Sequence, residues 1–71
     1  MVERTPVDSS NVASIGYDAE QMILEVEFNN SAIYQYYDVP TQIYTDFLNS
    51  VSKGRFLWAN IRDVYEYART E

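Results

Sequence analysis

The stretch Ile33-Tyr34-Gln35-Tyr36-Tyr37-Asp38-Val39-Pro40 divides the chain. Tyr34 and Tyr36 are two residues apart, the spacing that puts side chains on one face of a strand. Pro40 suits the first turn of a helix, where its missing N–H is not needed, and it pushes Val39 towards extended geometry. The segment before this stretch is therefore expected to be β structure, and the segment after it mostly helix.

Immediately upstream, Met22-Ile23-Leu24-Glu25-Val26-Glu27-Phe28 alternates, with Met22, Leu24, Val26 and Phe28 pointing one way and Glu25 and Glu27 the other. That pattern predicts a half-buried antiparallel strand with a solvated acidic face. The Asn29-Asn30-Ser31 loop decides the pairing. A two-residue loop would set Tyr34 opposite Glu25 on the wet face. A three-residue loop pairs Phe28 with Ala32, Val26 with Tyr34 and Leu24 with Tyr36, at the cost of a positive φ at Ser31. A one-residue slip turns every side chain over, so only the second register buries both tyrosines, and it leaves Gln35 and Tyr37 facing out.

Further upstream, Val12 to Tyr17 reads as a short strand in which Gly16 marks a bulge or a close backbone approach, followed by a turn at Asp18–Gln21. Residues 1–8 read as a frayed lead-in, and Ser9, Ser10 and Asn11 can bond nearby backbone ahead of the first strand. Downstream, Ile43, Tyr44, Phe47, Leu48 and Val51 recur at helical spacing over about 40–51. Gly54 is placed to end that helix, and Ser52 can cap a second one over about 55–62. The tail is ambiguous: Ile61, Val64, Tyr65 and Ala68 fit a helical stripe, whereas Tyr65 and Tyr67 alternate. The expected fold is one α+β domain over 1–71. A three-stranded antiparallel meander (about 12–17, 22–28 and 32–38) packs on the first helix, with the second helix and an extended tail closing the core.

The chain of 71 residues has room for a single core. It contains no Cys and no His, which excludes disulfides, zinc thiolates, thiol catalysis and the commonest neutral-pH base. Seven Tyr, three Phe and one Trp supply the buried area that must hold the fold instead. Eleven acidic residues against five basic give a net charge of −6, which works against polyanion adhesion. No apolar run approaches the roughly 18 residues of a membrane span. A cytoplasmic protein with no cofactor, no metal and no membrane association is expected. No phosphate loop or nucleophile–base pair is present, and Glu25 and Glu27 read as a solvated face rather than a catalytic pair, so no enzyme activity is expected.

The ordered set Ser9-Ser10-Asn11-Val12, Ile15-Gly16-Tyr17-Asp18, Leu24-Glu25-Val26-Glu27-Phe28, Tyr34-Gln35-Tyr36, Val39-Pro40, Ser52-Lys53-Gly54 and Ile61-Arg62 resembles the KTSC domain family. Members of that family occur at the C-terminus of some lysyl-tRNA synthetases and alone as short bacterial and phage proteins. The resemblance spans about Pro6 to Tyr67. It implies no assigned activity, and through the synthetase it implies RNA binding as a candidate role. Two departures stand out: Asn30-Ser31 replaces the family's usual Asn-Gly, and Trp58 stands where two aromatics are usually followed by Asn.

Two binding roles follow from the residues. A protein-binding or accessory module is favoured by the amphipathic aromatics, with Lys53, Arg55, Trp58, Arg62 and Tyr65 as its candidate surface. The alternative is an RNA-binding module with Lys53, Arg55 and Arg62 on phosphates and tyrosines on bases. Eleven carboxylates and the burial of Tyr34 and Tyr36 weigh against it. Tyr34, Tyr36, Pro40 and Gly54 are expected to be structural.

Overall fold

The computed structural model describes residues 3–70. The elements run β1 (Arg4–Pro6), β2 (Val12–Asp18), β3 (Ile23–Phe28), β4 (Ile33–Tyr36), α1 (Thr41–Asn49), α2 (Lys53–Asn60) and β5 (Tyr67–Arg69). The strands form one antiparallel sheet in the order β1-β2-β3-β4-β5. The α+β class stands, but the sheet has five strands rather than three. Both extra strands come from segments read as frayed or merely extended. Residues 4–6 pair with Ser14, Ile15 and Gly16, and residues 67–69 pair with Tyr34, Gln35 and Tyr36. Met1, Val2 and Glu71, also part of the expected loose ends, lie outside the described residues.

The central hairpin has the register that the three-residue loop requires, with Val26 opposite Tyr34 and Leu24 opposite Tyr36. Ser31 takes φ 72°, its N–H donates to the Phe28 carbonyl (3.0 Å), and the Phe28 N–H donates to the Ala32 carbonyl (2.9 Å). At the preceding turn, Asp18 Oδ1 accepts from the N–H groups of Glu20 and Gln21, and Met22 sits at φ 57°. Met22 is therefore partly exposed turn rather than the first inward residue of the strand. The β-bulge falls between Val12 and Ser14, not at Gly16.

The inner face of the sheet contributes Val12, Ile15, Leu24, Val26 and Tyr36 to a core closed by Val39, Phe47, Leu57 and Ile61. Pro40 sits at the N-cap of α1. That helix ends earlier than its apolar stripe predicts, because the Ser50 hydroxyl and N–H both donate to the Phe47 carbonyl (2.7 and 3.2 Å). Val51 is left fully exposed as a result. Gly54 does not terminate α1. It is the second residue of α2, whose first turn is capped by Ser52 Oγ accepting from the Arg55 N–H.

The outer face corrects a further expectation, for the acidic face is not solvated. Arg4, Gly16, Glu25 and Gln35 lie in one row across four strands. With no side chain on Gly16 in between, Arg4 reaches across β2 to pair with Glu25, and Gln35 Nε2 donates to the same carboxylate (3.0 Å). Ser14 Oγ donates to Glu27 Oε1 (2.9 Å). Glu25 is buried, and β1 is what covers it.

The left-handed residue in the hairpin offers a direct test. A serine there carries a Cβ cost of about 1–2 kcal/mol that glycine avoids, offset in part by glycine's extra unfolded-state entropy. Ser31→Gly is expected to stabilise the domain by up to about 1 kcal/mol, raising Tm by roughly 4–8 °C. Thermal unfolding checks this, and a lowered Tm would contradict the turn geometry.

Candidate functional site

The inner face is not fully covered by the helices. Between its β4–β5 end and α2 runs a groove of about 670 Å³. Strand alternation places Tyr34 and Tyr36 of β4 beside Arg69 and Tyr67 of β5 on one wall. Helical spacing places Gly54, Leu57 and Trp58 of α2 on the other, where Arg62 follows just past the end of the helix. Asn11, Asn29 and Asn30 close the end nearest the hairpin loop.

The rings form a connected series. Phe28 meets Tyr34 edge-on, with centroids 5.5 Å apart. Tyr67 lies 5.6 Å from both Tyr34 and Tyr36. Across the groove, the Arg62 guanidinium rests 3.7 Å from the centroid of the Trp58 ring, a cation–π contact that holds both side chains. Tyr36 is buried at 2% exposure, whereas Tyr67 and Trp58 are 54% and 66% exposed. The groove thus has a sealed floor and two accessible aromatic rims.

Its electrostatics differ from those of the whole chain. Arg62 and Arg69 line it, and among the described residues no Asp or Glu does. Burial, reinforced by Tyr34 and Tyr67 and opposed by Arg62, pushes the Tyr36 phenol up from 10.0 to about 12. Its hydroxyl therefore stays neutral at physiological pH. Among the described residues, no grouping of three or more carboxylates could hold a metal ion.

The five residues expected to form one surface are dispersed. Trp58 and Arg62 line the groove. Lys53 does not: its Nζ donates to the Ser50 carbonyl (2.7 Å) and ties the start of α2 to the end of α1. Arg55 is exposed but outside the groove, and Tyr65 packs partly buried against the core. Tyr34, expected only as a buried seam residue, is half-buried and lines the groove. Asn11, Asn29, Asn30 and Arg69 were not anticipated as a site. The two-residue spacing of Tyr67 and Arg69 was the available signal, since a strand pairing there must aim both at one face.

Comparison with known proteins bears on this architecture. Residues 8–65 match the profile of the KTSC domain. The chain belongs to the KTSC domain family. An uncharacterized protein of Stutzerimonas stutzeri is 44% identical over 54 residues, 76% of each chain. A protein of Tsukamurella paurometabola is 42% identical over 52 residues, covering 73% of this chain and 78% of that one. The crystal structure of a KTSC domain protein from Yersinia pestis superposes over the whole of both chains with a TM-score of 0.96 at 37% identity. The matched KTSC segment stops short of both edge strands, so the wall carrying Tyr67 and Arg69 lies beyond it.

Two outcomes test the geometry. Folding holds Tyr36 protonated to higher pH than the unfolded chain does. The stability linked to it is present in full below about pH 10 and is lost as pH rises from there through about 12. Tyr36→Phe is expected to flatten the fall in stability over that window, measured by urea unfolding at stepped pH. Separately, a Cβ on Gly54 would stand 2.6 Å from Asn11 Nδ2. Gly54→Ala is expected to displace the Asn11 side-chain amide resonances. Its stability cost should stay well below the roughly 3–5 kcal/mol of a core truncation such as Phe47→Ala.

Proposed function

We propose that this KTSC domain is a non-catalytic binding module whose groove takes a short single-stranded nucleic acid. RNA is the form to which the family's synthetase association points. The observation that carries this reading is the segregation of charge and rings. In a chain of net charge −6, the groove joins Tyr34, Tyr67 and Trp58 to Arg62 and Arg69, without a carboxylate among the described residues that line it. Flat side chains beside cations are what unstacked bases and their phosphates require. Carboxylates elsewhere on the surface are screened beyond about 8 Å at physiological ionic strength, so the local cations govern a ligand only a few nucleotides long.

Stacking is worth about 1–3 kcal/mol per base, so rings rather than charge should carry the affinity. A protein segment is the second reading, favoured because exposed Trp, Tyr and Arg are also the residues that dominate protein interfaces. A cytoplasmic location accords with either reading, and among the described residues no helix is long and apolar enough to cross a membrane.

Titration of hexameric RNA against Trp58 fluorescence at several salt concentrations tests the proposal. Two phosphate contacts predict a log–log salt slope of about −1.4, and Arg62→Gln should reduce its magnitude by about 0.7. Flat titrations to high micromolar protein, with binding instead to an aromatic acidic peptide, would move the assignment to the protein reading.

A further inference from the structure

Three asparagines line the hairpin-loop end of the groove, and two of them have structural work. Asn29 Nδ2 donates to the Ser9 carbonyl (3.2 Å), and Asn30 Oδ1 accepts from the Ala32 N–H (3.1 Å). Asn11 is held differently. Its backbone is fixed on both sides, the N–H donating to Ser9 Oγ (3.2 Å) and the carbonyl accepting from the Asn29 N–H (3.0 Å). Its carboxamide has no hydrogen-bond partner among the described residues, although it lines the groove. It lies against the helix opposite, where a Cβ at position 54 would stand 2.6 Å from Asn11 Nδ2, the movable end of the side chain.

A side chain with a fixed backbone and an exposed carboxamide that no described residue engages is placed to serve a ligand. From these observations we infer that Asn11 reads the edge of a base stacked in the groove, with a preference for adenine. This inference rests on the nucleic-acid reading. A carboxamide offers one donor and one acceptor side by side, and the edge it usually pairs with in bidentate fashion is the adenine N6 and N7. The rings of Phe28 and Tyr34 at this end supply base-independent contact, while the cations are on β5 and at the far end of α2. Affinity and selectivity are thereby divided between different residues.

The experiment compares A6, C6 and U6 RNA on the wild-type chain, Asn11→Ala and Asn11→Asp. On the wild type, A6 is expected to bind about 5- to 150-fold more tightly than C6 or U6, the discrimination one bidentate pair carries. Asn11→Ala should abolish the preference while keeping U6 affinity within about twofold, since stacking does not depend on Asn11. Asn11→Asp keeps the size but loses the donor, and should move the preference from adenine towards cytosine, whose N4 donates to a carboxylate. Equal binding of all three oligomers by the wild type, a preference for C6 or U6, or a uniform loss with Asn11→Ala in a chain that keeps its Tm would each overturn the inference while leaving the groove a nucleic-acid site. Failure of every oligomer to bind the wild type would instead remove the nucleic-acid reading, and the inference with it.

Discussion

The pairing of Val26 with Tyr34 and of Leu24 with Tyr36 depends on a single left-handed residue, Ser31, in the loop between their strands. Strand side chains have a period of two, so a slip of one residue would send both tyrosines to the outer face, beside Glu25 and Glu27, and strip their rings from the core. The core could not tolerate that loss, because the apolar area buried by an aromatic ring such as Tyr36 outweighs the cost of a strained turn. The burial of Tyr36, its suppressed ionisation and the ring series continuing to Tyr67 all follow from this one register.

The two edge strands then settle the character of each face. β1 lies across from Gly16 and delivers Arg4 to Glu25, turning an acidic surface into a bonded network. β5 extends the inner face past the reach of the helices and adds Tyr67 and Arg69 to the exposed wall. Each is three residues long and neither holds a fully buried side chain, so their local sequence carries little hydrophobic signal. Their value lies in position: one conceals charge, and the other exposes rings and a cation.

Charge is distributed accordingly. A net of −6 describes the molecule but not the groove, where both charges among the described lining residues are positive and one of them is stacked on Trp58. Summed charge governs encounter at long range, whereas a ligand a few nucleotides long responds to the groups within a Debye length. The charge of the groove is a short-range quantity, separate from the eleven carboxylates that weigh at long range against nucleic-acid binding. The burial of both tyrosines had also been counted against it, but only Tyr36 is buried.

The sequence by itself determined the α+β class, the hairpin register, the positive φ at Ser31, the Ser52 cap and the family. Each of these is written in contiguous residues through period, turn chemistry or an ordered motif. Only the tertiary structure decided that the sheet has five strands, that Glu25 is buried, that the Asn11 side chain lies against Gly54, and that Trp58 and Arg62 face Tyr34 and Tyr67 while Lys53, Arg55 and Tyr65 do not. Those facts join residues far apart along the chain. The physical reason is that a three-residue edge strand is stabilised by its neighbour's hydrogen bonds rather than by its own pattern, and a groove exists only where two such separate walls fail to close.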